Sequence, residues 1–172
     1  MNKQFAITVK FTKQLENGTF KRVRETFLFS AMTYTDAEAR VYEELGSVIR
    51  GEFAIVGVVP KPFADIFDNE ADTYWELTVR IQSDNLESDK VRFVNARYLS
   101  SGDTIKEAIE LFEESMKPVL SDFTIIGISQ SKILGIYPYV ENLDKEITRT
   151  PLDSEESKVE EEEYEIGDIN PY

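Results

Sequence analysis

Phe53-Ala-Ile-Val-Gly-Val-Val59 and Phe123-Thr-Ile-Ile-Gly-Ile-Ser129 stand seventy residues apart, and their likeness decides the fold. At the same offset Thr8-Val9 answers Thr78-Val79, Glu43-Glu44 answers Glu113-Glu114, and Phe67 answers Tyr137. Val41/Leu111, Tyr42/Phe112 and Ile49/Val119 match in kind. An ungapped match of this length indicates two copies of one unit, a duplicated domain rather than a solenoid. Both stretches are apolar at consecutive positions, the pattern of a strand covered on both faces, so each is expected to be the buried central strand of its copy.

Outward from these strands the first copy reads as strand, strand, helix, strand. Phe5, Ile7, Val9 and Phe11 alternate with smaller or polar residues, a period of two. Glu16-Asn17-Gly18-Thr19 supplies a turn, and residues 20–29 return with Val23, Phe27 and Phe29 on one side. Thr35-Asp36-Ala37-Glu38 reads as a capping box ahead of a stripe of Val41, Leu45, Val48 and Ile49, with Gly51 to end the helix. Pro60 and Pro62 close the strand at 53–59, and 63–67 adds a short one. The second copy repeats the scheme: Trp75, Leu77, Val79 and Ile81 alternate, 83–90 turns, 91–99 returns, and Thr104-Ile-Lys-Glu107 caps a helix that Pro118 ends. The expected fold is α+β: two β-β-α-β(β) repeats at 1–68 and 74–138, built on antiparallel sheets with pseudo-twofold symmetry and packed as one domain.

From residue 150 the pattern changes. Residues 151–172 hold nine acids and one Lys, too few apolar groups to offset ordering entropy, so a disordered acidic tail is expected over 150–172. The whole chain carries −14, yet residues 1–30 set six Lys/Arg against Glu16 and Glu25. With 41% apolar residues the chain can bury a core, and no stretch is apolar for long enough to span a bilayer. No secretory signal is visible at the start, and a cytoplasmic protein is expected.

Thr35-Asp36-Ala37-Glu38-Ala39-Arg40, Gly51-Glu52-Phe53, Ile66-Phe67 and Trp75 together resemble a domain-of-unknown-function family (number 4494) of Bacteroidetes bacteria and their phages. The resemblance spans about residues 5–138, includes the duplication, and departs near Ala64-Asp65, where the family is more acidic. It implies a bacterial or phage origin in the host cytoplasm and brings no catalytic residue with it. The tip Asp168-Ile169-Asn170-Pro171-Tyr172 is similar to the acidic, aromatic-ended tails of single-stranded DNA-binding proteins, with Asn170 inserted and Tyr in place of Phe. That second resemblance implies a tail that recruits replication proteins through Asp168, Ile169, Pro171 and Tyr172.

Chemistry is limited by what is missing. The chain has no Cys and no His, which removes thiolate and imidazole catalysis and ordinary zinc sites. Gly127-Ile-Ser129 lacks a nucleophile elbow and the eight glycines form no phosphate loop, so neither an enzyme nor a cofactor is expected. Glu43-Glu44 and Glu113-Glu114 point about 100° apart on a helix, which suits solvated faces better than a metal. The even positions of the first hairpin place Lys10, Arg22 and Arg24 opposite the apolar face, with Lys21 beside them, and the second copy offers Arg80 and Arg92. These cations can follow a phosphate backbone, with Phe20 and Tyr98 as stacking platforms. The favoured reading is a non-catalytic single-stranded DNA-binding protein. The alternative is a protein-interaction module, a virion or host-takeover component that uses its acidic helix faces. Association into a homo-oligomer is left open by the sequence.

Overall fold

The structure, a computed structural model, describes residues 2–83, 91–119 and 122–140. Of the turn expected at 83–90, Ser83 ends a strand and 84–90 lie outside the described residues, as does the tail at 150–172. β1 (Lys3–Gln14) and β2 (Phe20–Ala31) form an antiparallel hairpin, closed by Gly18 at φ 80 and by Asn17, whose Oδ1 accepts from the Thr19 backbone N–H at 3.0 Å. α1 (Tyr34–Leu45) follows, then β3 (Phe53–Pro60), which returns antiparallel along the other side of β1. The second copy repeats this with β5 (Tyr74–Ser83), β6 (Arg92–Ser101), α2 (Ile105–Met116) and β7 (Phe123–Gln130). The fold is α+β, as the patterning predicts.

Two short strands, β4 (Asp65–Phe67) and β8 (Ile133–Tyr137), do not stay with their own copies. β8 pairs parallel to β2 and β4 pairs parallel to β6, so the sheets run β3-β1-β2-β8 and β4-β6-β5-β7. Each repeat thus completes the other's sheet. The exchange also delivers one aromatic each way. Tyr137 stacks on Phe29 with centroids 4.5 Å apart, while Phe67 meets Phe112 at 5.8 Å edge-on. At Phe67 and Tyr137 the seventy-residue match therefore corresponds to a reciprocal contact, in which each copy plugs the other's helix–sheet core.

The odd face of the first hairpin packs under α1. Phe5, Ile7, Val9 and Phe29 lie against Ala37, Val41 and Leu45, three helix positions spaced four apart as one buried stripe requires. In the second copy Leu77, Val79 and Tyr98 meet Phe112 and Met116. A third core, of Ala6, Leu28, Phe63, Tyr74, Leu99 and Ile133, joins residues of both copies on the faces turned away from the helices.

Three expectations are corrected. The strands at 53–59 and 123–129 are not central and buried: β3 and β7 are edges, alternating between half-buried and exposed residues, while the hairpin strands take the middle. Each edge is kinked by an extra residue, against Thr8/Val9 in one copy and Thr78/Val79 in the other. The first helix is capped two residues early, by Thr33, whose Oγ1 accepts from the Asp36 N–H at 3.1 Å, while Asp36 accepts from the Met32 N–H at 2.8 Å. Thr104 and Glu107 cap the second helix as expected. Finally, the equivalence is seventy residues for β1/β5 and β3/β7 but seventy-one for β2/β6 and the helices. Val9 faces Glu25 where Val79 faces Ala96, and Ala37 and Val41 answer Ala108 and Phe112. One residue gained in the hairpin turn is given back after the helix.

Candidate nucleic-acid interface

The length of the first hairpin creates the candidate surface. A twelve-residue strand extends about 40 Å, whereas the twelve-residue helix above it covers about 18 Å. The end of the hairpin beyond Phe11 therefore projects past its core as an arm. Directly opposed residues of an antiparallel pair share a face. On the face away from α1 the pairs are Lys10 with Arg24, Thr12 with Arg22, and Gln14 with Phe20. Lys10 and Arg22, with Glu52, line an open hollow of about 540 Å³. Phe20 is 73% exposed at the end of the arm. Lys10, Arg22 and Arg24 have no ion-pair partner among the described residues; on this hairpin only Lys13, on the other face, holds a carboxylate, Glu25, at 3.2 Å. Like charges placed directly across a strand pair cost stability. Lys10 and Arg24 stand in that position with no salt bridge among the described residues, and Glu52 is the acid that lines the hollow beside them.

The second copy carries a different version of the same place. Arg80, opposed to Asn95 and Thr124, lines an equivalent hollow of about 280 Å³ with Gln82, Phe93 and Asp122. Phe93 is 62% exposed on this open face, where the first copy has Arg22. It was not among the sequence candidates. The signal that would have found it is the seventy-one-residue alignment of Phe27-Leu28 with Tyr98-Leu99, which moves Phe93 onto the Arg22 position.

Three candidates lie elsewhere. Tyr98 is 5% exposed, packed between Phe67 and Phe112 under α2, and is not available to stack on a base. Burial, with the charge of Asp65, raises its hydroxyl pKa above the ordinary value. Lys21 opposes Lys13 and Arg92 opposes Ser83, which puts both on the helix side of their sheets. Register is the reason: one strand position inverts the face. Asp168, Ile169, Pro171 and Tyr172 lie outside the described residues.

Between the two arms the open faces meet in a cleft of about 460 Å³, lined among others by Thr8, Thr26, Lys61, Ser129, Ser131 and Lys132. Glu76 anchors it. Lys61 Nζ reaches Glu76 Oε1 at 3.1 Å, Arg97 Nη2 reaches Oε2 at 2.8 Å, and the Ser131 hydroxyl lies 3.3 Å from Oε1. Burial pushes the Glu76 pKa up, but the hydrogen bonds and charges of Arg97 and Lys61 outweigh it and hold the carboxyl below its ordinary value. With two cations to one carboxylate, the group is net positive. Among the described residues no three acidic side chains converge as a metal site, and no helix is long and apolar enough to cross a membrane.

No curated protein and no solved structure matches this chain. The model of one family, described as a domain of unknown function (DUF4494), matches residues 3–139, both repeats together.

Proposed function

We propose that this chain, which belongs to the domain-of-unknown-function family DUF4494, binds single-stranded DNA on the open face of its first hairpin arm. One observation carries the reading: Lys10 and Arg24 stand directly opposed, with Arg22 beside them, unpaired among the described residues and next to an exposed Phe20. Cations spaced along a strand seat successive phosphates, and an exposed ring stacks on a base without reading its identity. The acidic tip of the tail, Asp168 to Tyr172, recruits a protein partner in this scheme. A bacterial or phage source and a cytoplasmic location accord with it.

Fluorescence anisotropy of the full chain with labelled oligo-dT tests the assignment. Three phosphate contacts on a single strand give a slope of log K against log salt of about −2. Lys10→Ala, Arg22→Ala and Arg24→Ala combined should remove that slope and most of the affinity while leaving the fold intact, since none of the three is buried. Absence of binding at low salt, with residues 151–172 present or deleted, refutes the reading and favours a protein-interaction module.

A further inference from the structure

Resting on that reading, we infer that the bound strand does not stop at the first arm but crosses the pseudo-twofold cleft and continues along the second arm. Lys132 and Ser129 hold a phosphate midway, and Arg80 and Phe93 hold the far end.

The three hollows form one path. On β1 the open-face residues run Ala6, Thr8, Lys10, Thr12; the first two line the cleft and the last two line the first arm's hollow. On β5 they run Glu76, Thr78, Arg80, Gln82; Glu76 lines the cleft, and Arg80 and Gln82 line the second hollow. Neighbours on one strand face are about 7 Å apart, so the β1 wall leads from cleft to arm without a gap, while on β5 Thr78 stands between the cleft and the second hollow. The cleft straddles the symmetry, since Ala6 answers Glu76, Val59 answers Ser129 and Lys61 answers Ser131. At each of these places the two copies carry different residues. Such divergence is expected where a symmetric molecule must accept a ligand with a direction. Lys61 and Arg97 neutralise Glu76, so a phosphate meets no net negative charge there, and Lys132 has no ion-pair partner among the described residues.

The arms have diverged in the same sense. The first offers three cations and Phe20, and the second offers one cation, Arg80, with Phe93, Gln82 and Asn95 on the same face. The first arm is suited to grip backbone, and the second to contact base faces and edges. A strand lying across both therefore has a preferred polarity.

Two oligonucleotide lengths test this, dT4 and dT16, which are about the limits of site size for comparable sheet-based binders. On the wild-type chain dT4 should give the slope of about −2 from the first arm, and dT16 a slope of about −3.5 as Arg80 and Lys132 join. Arg80→Ala with Lys132→Ala should return dT16 to about −2 and leave dT4 unchanged. Phe93→Ala should weaken dT16 at least fivefold with no effect on dT4. Equal slopes for the two lengths, or variants that alter neither, overturn the continuous path while the first-arm reading stands. No binding at either length overturns both.

Discussion

Ile133→Ala offers a direct test of the strand exchange. Ile133 belongs to the second repeat in sequence, but β8 carries it beside β2 of the first, where it is 2% exposed among Ala6, Leu28, Phe63, Tyr74 and Leu99. Truncating a buried Ile to Ala costs about 2–5 kcal/mol, and residues of both repeats line this site, so we expect about 3 kcal/mol. With a urea m-value of about 2 kcal/mol/M the midpoint falls by about 1.5 M at unchanged m. Leu134→Ala, one residue on and exposed, should change stability by no more than about 0.5 kcal/mol. Native-state hydrogen exchange locates the loss. Amides of β1 and β2, more than a hundred residues away in sequence, should exchange faster together with those of β8. A cost below about 1 kcal/mol, or faster exchange confined to the second repeat, would refute the interlocked architecture.

The two ring candidates should separate by assay. Tyr98→Ala should cost about 3–5 kcal/mol of stability, whereas Phe20→Ala should unfold like the wild type and weaken oligo-dT by about 1–3 kcal/mol in anisotropy titrations. Glu76 has a folded pKa below its unfolded one, so its contribution is complete above the unfolded value and is lost as pH falls through the folded value. Urea midpoints of Glu76→Gln should therefore lie below wild type at neutral pH, with the gap closing on the acid side. Tyr74 behaves oppositely: burial first, then the charge and hydrogen bond of Asp68, push its hydroxyl up to about 12. Its contribution is complete below pH about 10 and lost toward pH about 12, and Tyr74→Phe should abolish that alkaline loss in urea midpoints measured across the range.

The duplication, the α+β class, the hairpins and the helical stripes follow from the sequence alone, because each rests on a local period that side-chain burial imposes. The period of two in β1 also predicts that Lys10 lies opposite Phe11, as the structure places it. Pairing between distant segments was decided only in three dimensions. Apolar runs at 53–59 and 123–129 cannot say whether a neighbour strand lies on one side or both, and β3 and β7 lie at the edges. Tyr98 and Phe93 show the cost of one residue. Counting at seventy keeps even-numbered Tyr98 on the open face and odd-numbered Phe93 on the covered one, while the register set by Val79 against Ala96 buries the first and exposes the second. A strand shows alternate residues to opposite faces, so the face of every residue after a turn depends on that turn's length. In this chain the register places the Tyr98 ring in the core beneath α2 and leaves Phe93 outside it.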